Sequence, residues 1–212
     1  MRRSSSLTTT LAVLSASLAL AACGTGDSTS ADAGSSGGTA AGKVKGGPGV
    51  DVATKTIRVG DINALTGPAS ALGKPVAAGH RAYFKALNAG GGIDGWKVRL
   101  TIKDSGYQPQ QHVQIYNAMK NDVALLNSFG SPTTKAIQAL LDRDKLVTTP
   151  ASFDSIWGAD PVIAPVGTPY SSDIANALDY YTKHGADKPK IGIVYQNDEY
   201  GQDGLRGYTA AK

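Results

Sequence analysis

Val123-Ala-Leu-Leu-Asn-Ser-Phe129, Gly130-Ser-Pro-Thr-Thr134, Lys135-Ala-Ile-Gln-Ala-Leu-Leu-Asp-Arg-Asp-Lys145 and Leu146-Val-Thr-Thr149 run consecutively, and their reading decides the fold. The first seven residues are a short, mostly apolar run and predict a strand over 123–129. Ser131 and Pro132 mark a helix start, with Ser as N-cap and Pro at the first helical position. Ile137, Leu140 and Leu141 share one face of a helix over 132–145, and 146–149 predicts a second strand. Strand, helix, strand with short joints is the unit of a parallel sheet, because a parallel neighbour requires a crossover connection.

The alternation continues in both directions. Thr56–Leu65 is β-rich. Val76, His80, Tyr83/Phe84 and Leu87 recur at helical spacing, and Asn88 and Gly90–Gly92 stop that helix. Trp96–Ile102 alternates as a strand, and Pro109–Asn121 is a helix with Val113, Tyr116 and Met119 inward. Further on, Val162–Val166 reads as a short strand. Ser171–His184 reads as a helix with Ile174, Leu178 and Tyr181 inward, Ile191–Tyr195 as a buried strand, and Tyr200 onward as another helix. The predicted class is α/β, a parallel sheet flanked by helices. Ligands of such folds bind beyond the carboxyl ends of the strands, where strand order reverses. That directs attention to the loops at 64–73, 104–109, 130–134, 150–154, 167–171 and 196–201.

The chain has 212 residues, of which 41% are hydrophobic and 18% charged, a globular balance that excludes disorder throughout. The longest apolar run, Leu11–Ala22, is broken by Ser15 and Ser17 and is too short for a membrane span, which needs roughly 20 residues. The formal charge of +4 includes Arg2 and Arg3. Without them 19 basic residues face 17 acidic ones, and no basic stripe points to nucleic acid.

The N-terminus has three parts: Arg2-Arg3, an apolar stretch from Leu7 to Leu20, and Leu20-Ala21-Ala22-Cys23. This order resembles a bacterial lipobox. Residues 1–22 are expected to be a signal peptide, with Cys23 acylated and anchored to the cell membrane. Cys23 is the sole cysteine, so no disulfide can form within the chain. Of the 26 residues Gly24–Gly49, 21 are Gly, Ser, Thr, Ala or Pro. Residues 23–50 therefore read as the lipidated cysteine and a flexible tether, which holds a domain roughly 25–30 Å off the lipid.

Several chemistries lack their motifs. There is no G-x-G-x-x-G after a strand, no phosphate-binding G-x-x-x-x-G-K-[ST] and no G-x-S-x-G elbow. An exported α/β hydrolase would need a nucleophile–His pair at strand ends, yet His80, His112 and His184 fall in or at the end of predicted helices and read as packing and helix-end residues. Asp198, Glu199 and Asp203 lack EF-hand spacing and read as a solvated acidic loop. No metal or cofactor is expected. The suggestive loop is Gly130-Ser-Pro-Thr-Thr134. Plain helix capping accounts for it. A cradle for a ligand carboxylate, built from the helix N-terminus and the hydroxyls of Ser131, Thr133 and Thr134, does so equally.

Four segments, in order, resemble the branched-chain amino-acid and amide-type substrate-binding proteins of ABC transporters, relatives of the Leu/Ile/Val-binding proteins. They are Ile57-Arg-Val-Gly-Asp-Ile-Asn-Ala-Leu-Thr-Gly-Pro-Ala-Ser-Ala-Leu-Gly73, Asn88-Ala-Gly-Gly-Gly-Ile-Asp-Gly95, Lys103-Asp-Ser105 with Gln108-Pro109, and Tyr195-Gln-Asn-Asp-Glu-Tyr-Gly201. The resemblance covers residues 56–204 and implies a type I periplasmic binding protein fold. Such a protein is non-enzymatic and monomeric, has two lobes, and hands a small ligand to an ABC transporter permease. On this view residues 51–168 form the first lobe and 169–212 begin a second, C-terminally truncated one.

The resemblance also implies site residues. Ser131 matches a serine that holds the ligand carboxylate, with Thr133 beside it. Ala151 matches a position whose backbone meets the ligand. Ser152 matches a ligand-binding Thr if the loop is one residue shorter; otherwise Phe153 occupies that place. Tyr170 stands where an Asp often pairs with the ligand ammonium, Tyr200 is the aromatic of the "YG" loop, and Leu72 lines the cleft. Loss of the Asp disfavours a free α-amino acid, because a buried ammonium without a partner is costly. The aromatics Phe153 and Tyr170 suit an amide, an aromatic acid or another small carboxylate. A ligand sensor of the same fold, acting on a signalling partner, is the alternative.

Overall fold

The computed structural model describes residues 44–185 and 190–212. The predicted signal segment, Cys23 and most of the tether lie outside the described residues. The elements are β1 (Val50–Asp51), β2 (Thr56–Asn63), α1 (Ser70–Ala89), β3 (Lys97–Asp104), α2 (Pro109–Met119), β4 (Leu125–Phe129), α3 (Ser131–Asp144), β5 (Thr148–Ala151), a 3-10 turn over Ser155–Ala159, α4 (Tyr170–His184) and α5 (Glu199–Ala210).

β2, β3, β4 and β5 form a parallel sheet in the spatial order β3-β2-β4-β5, and two-residue β1 pairs antiparallel with β2. Strand order reverses at β2, whose neighbours are β3 on one side and β4 on the other. Each chain crossing ends in a helix that returns over the sheet. Ile62 and Leu126 of the strands meet Tyr116 and Met119 of α2 and Ile137 and Leu141 of α3, and Trp157, Val162 and Ile163 close the same core. All are buried, and each large aliphatic or aromatic side chain contributes roughly 1.5–3 kcal/mol by leaving water.

Buried polar groups in this layer are partnered. His112 of α2 is fully buried between Ser128 Oγ (2.9 Å) and Ser105 Oγ (3.3 Å), and burial pushes its imidazole down to about 3, so it packs as a neutral ring. His80 places Nδ1 2.9 Å from the buried Asp61 carboxylate, which Asn63 also contacts. His184 lies against Tyr180, on the exposed side of α4, with ring centroids 4.6 Å apart and the rings tilted by 41°.

The structure corrects several expectations. The fold begins before residue 51, the expected start of the first lobe: Gly49 is buried at φ 71°, where a side chain would overlap the backbone of Val123 and Ala124. Val162–Val166 contributes only an isolated parallel bridge, Ile163 to Thr148, with hydrogen bonds of 2.8 Å on either side. Ile191–Tyr195 is no strand; among the described residues no neighbour pairs with it, and Val194 is fully exposed. For the same reason α4 buries none of its side chains, including the expected Ile174, Leu178 and Tyr181. Among the described residues no helix is long and apolar enough to cross a membrane, and no cluster of metal-ligating side chains occurs.

Candidate functional site

The loops that leave the carboxyl ends of β2, β3, β4 and β5 converge, as the order reversal at β2 requires. Together with the start of α4 and the loop before α5 they enclose a cavity of about 560 Å³. Leu72 and Val76 line it from α1, Tyr107 from the loop after β3, and Phe129, Gly130 and Ser131 from the junction of β4 with α3. Ala151 and Phe153 close it after β5, while Tyr170, Gln196 and Tyr200 form the opposite wall. None of the lining side chains carries a formal charge.

Aromatic packing shapes that wall. Tyr170 meets Tyr200 edge-on at 4.9 Å and Phe153 at 5.9 Å, and its backbone N–H donates to the Phe153 carbonyl at 2.9 Å. Burial raises the Tyr170 phenol above its ordinary range. Tyr107 stands at φ 63° with its ring against Gly130, itself at φ 96° and ψ 147°. That Gly130 conformation is open essentially only to glycine. The Tyr107 hydroxyl lies 3.5 Å from Asp198 Oδ2, and burial followed by the Asp198 charge pushes its phenol up to about 12. Asp198 caps α5 by accepting the Gly201 N–H at 3.2 Å and also takes the Gln196 amide.

The expected site residues separate into two groups. Leu72, Ser131, Ala151, Tyr170 and Tyr200 lie on the cavity wall. Thr133 and Ser152 lie behind it. The Thr133 hydroxyl turns back to the Phe129 and Gly130 carbonyls, and Thr134 pairs with Ser128 at 2.7 Å, so the expected cradle of three hydroxyls reduces to Ser131. Gly130, not Ser131, is the N-cap, and Ser131 is the first helical residue. That shift of one position frees the Ser131 side chain from capping; it sits 2.6 Å from Ser152 Oγ instead. Phe153, the open alternative to Ser152, is the one that lines the cavity.

Sequence reasoning overlooked Tyr107, Phe129 and Gln196, although the x-Gly-Tyr-Gln-Pro turn after a strand marked Tyr107 as a loop-tip aromatic. It also misplaced Asp203. Far from a solvated loop, Asp203 is fully buried, accepting from Ser155 N and Ser171 N (both 3.1 Å), from the Ser155 hydroxyl and from Arg206 (2.7 Å). Arg206 also reaches Asp154 at 3.0 Å. This cluster ties α5 to the turn after β5 and to the start of α4.

Residues 56–211 match the profile of the family described as periplasmic binding protein. The chain belongs to that family. Among curated periplasmic binding protein relatives, the Leu/Ile/Val-binding protein of Escherichia coli (strain K12) is 26% identical over 163 residues, covering 71% of this chain and 44% of that protein. Among solved structures, a fatty acid ABC transporter substrate-binding protein from Thermomonospora curvata superposes with a TM-score of 0.72 at 32% identity, over 79% of this chain and 43% of the other. A substrate-binding periplasmic protein from Ralstonia solanacearum gives 0.68 at 27% identity, over 73% and 45%. The chain thus spans less than half the length of the relatives it matches. The type I periplasmic binding protein fold, a parallel sheet flanked by helices, is the one observed.

Proposed function

We propose that this chain is the ligand-holding part of an extracytoplasmic, non-enzymatic solute-binding protein that serves an ABC importer. Its ligand is a small carboxylate or amide with an apolar or aromatic body. The observation that carries this reading is the uncharged cavity of about 560 Å³ at the strand carboxyl ends, walled by Leu72, Phe129, Phe153, Tyr170 and Tyr200 beside the first turn of α3. Apolar walls with a few convergent polar groups are the composition of small-molecule sites. The helix N-terminus and the Ser131 hydroxyl favour an oxygen-bearing head. A ligand ammonium would find no carboxylate on the lining, which places branched-chain amino acids behind their deaminated analogues. The related fatty acid and Leu/Ile/Val-binding proteins show that both kinds of ligand are named for relatives.

A thermal-shift screen of the full-length mature protein tests this. Saturating 4-methylpentanoate, 3-phenylpropanoate or a medium-chain fatty acid should raise Tm by roughly 5–10 °C at a hundred times Kd. Leucine should raise it less than 4-methylpentanoate. A screen of amino acids, amides and carboxylates in which nothing raises Tm would sink the proposal.

The membrane anchor is proposed on the Arg2-Arg3, apolar and Leu20-Ala-Ala-Cys23 sequence alone. Cys23→Ala should release the protein from membranes into the soluble fraction; unchanged retention would count against lipidation.

A further inference from the structure

The chain enters the fold at the end of the sheet opposite the cavity. Val50 and Asp51 pair with Ile57 and Thr56, the first residues of β2, and Gly49 abuts Val123 and Ala124 just ahead of β4. The turn closed by the Ile93–Trp96 bridge delivers Lys97 opposite Thr56, so β3 also starts here. Three loops of this amino end each show an aliphatic side chain to water: Val44, Val52 and Ile93 are 52%, 47% and 49% exposed.

Cations stand around them. Lys45, Lys55, Lys85, Lys97 and Arg99 are exposed, and Arg58 donates Nε to the Asp122 carbonyl at 2.8 Å. Lys97 donates its backbone N–H to the Lys55 carbonyl at 2.8 Å and its Nζ to the Asn88 carbonyl at 2.6 Å, which joins the 52–55 turn, the start of β3 and the end of α1. Among the described residues none of these six cations forms an ion pair. Asp51, Asp94 and Asp122 are the carboxylates in the same loops, and Asp51 already accepts the Thr54 N–H at 3.1 Å. The sequence contains no basic run, yet residues 44–103 carry nine basic side chains against three acidic, whereas residues 104–212 carry nine against twelve. Lysines on an edge strand also keep that strand from pairing with another chain. That accounts for Lys97 and Arg99 of β3. It does not account for Lys45, Lys55 and Lys85, nor for the aliphatics between them.

We propose that this amino end docks on the surface of an anionic membrane. Exposed aliphatics enter the headgroup layer while lysines and arginines meet the lipid phosphates, the composition of a surface that lies on a bilayer. The Gly/Ser/Ala-rich stretch that leads back to Cys23 joins the fold at this same end. A domain so tethered stays near the lipid, and a weak patch is then enough to orient it. Docking there points the carboxyl ends of the strands, and the cavity, away from the membrane toward arriving solutes. The orienting role rests on the proposed anchor at Cys23; the affinity of the surface for lipid does not.

Co-sedimentation with vesicles tests the surface separately from the anchor. The full-length mature protein carrying Cys23→Ala should bind phosphatidylcholine vesicles that contain about 30% phosphatidylglycerol and should bind pure phosphatidylcholine roughly tenfold more weakly. Raising the salt from about 50 mM to about 500 mM should weaken binding roughly tenfold, since exposed charges are then screened. In the same background, Lys55→Ala with Lys97→Ala should cost about 25-fold, fivefold for each cation. Val52→Ser with Ile93→Ser should cost roughly fivefold or more. Lys135→Ala with Lys183→Ala changes the net charge equally on α3 and α4 and should leave binding within about twofold. No binding to the anionic vesicles overturns the proposal. So does an equal loss in both lysine pairs, which would show that net charge alone is read. Self-association abolished by Lys55→Ala with Lys97→Ala, without vesicle binding, would instead assign the face to a second copy of the chain. Membrane retention of the wild-type protein with no vesicle binding by Cys23→Ala would keep the anchor and refute the docking surface, so the two failures are distinguishable.

Discussion

Asp203→Ala should destabilise the fold by on the order of 3–5 kcal/mol, the range for removing one partner of a buried charged network. The carboxylate is fully buried and holds the N–H groups of Ser155 and Ser171 together with the Ser155 hydroxyl and Arg206. Without it, two backbone donors on either side of the connection to α4 lose their acceptor, at about 1–3 kcal/mol each where they are buried. Arg206 is 48% exposed, so water screens its share of the loss. Asp203→Asn should recover part, because a carboxamide oxygen can still accept. Equilibrium unfolding in urea measures both; a change below about 1 kcal/mol for the alanine variant would show the cluster to be ornamental.

The same cluster sets a pH dependence with a definite sign. Burial alone would raise the Asp203 pKa, but hydrogen bonds from Ser155, Ser171 and Arg206 outweigh it and hold the carboxyl below its ordinary 3.8. A lowered folded pKa means that its stabilisation is complete above the unfolded value and lost as the pH falls through the folded one. Asp154 goes the other way. Burial raises it, and its Oδ2 has no hydrogen-bond partner, so it takes up a proton first. Acidification from neutrality should therefore first relieve Asp154 and only afterwards break Asp203. The acid limb of unfolding below pH 4 should be shallower in Asp203→Asn than in the parent.

Gly130→Ala should cost roughly 2–5 kcal/mol and distort the cavity as well. The φ of 96° with ψ 147° is strained for any residue with a Cβ, and that Cβ would overlap the Tyr107 ring and come within 2.9 Å of Thr133 Oγ1. Both contacts border the cavity wall. Tyr107→Ala in the Gly130→Ala background should return the part due to the clash and leave the backbone strain. Full recovery in the double variant would show that backbone conformation contributes nothing here. Thermal denaturation of the four proteins of this cycle separates the contributions.

The element order was legible because its signals are local. Pro132 at a helix start, the Ile137/Leu140/Leu141 stripe and the apolar run of 123–129 each depend on residues a few positions apart. Signals that depend on distant partners were not. Asp203 looks like any surface acid until Ser155 and Ser171 are brought to it from 48 and 32 positions away. Ile191–Tyr195 has the composition of a buried strand, yet a strand exists only where a neighbour bonds to it. The same holds at the site. The alternating elements pointed to the loops, and the family resemblance pointed to Leu72, Ala151, Tyr170 and Tyr200 within them, all of which stand on the cavity wall. Where a hydroxyl points did not follow: Thr133 and Thr134 read like Ser131 in sequence, and only the one-residue shift of the cap to Gly130 separates them.

The reversal of strand order at β2 has a consequence for how such a molecule changes over generations. One side of the cavity hangs from the ends of β2 to β5 and the other from the starts of α4 and α5, and the hydrophobic layer that holds the strands lies elsewhere. One loop can therefore exchange an aromatic for an amide, or lengthen by a residue, without disturbing the packing of Ile62, Leu126 or Ile137. Selection can reshape the cavity one wall at a time while the scaffold is inherited unchanged.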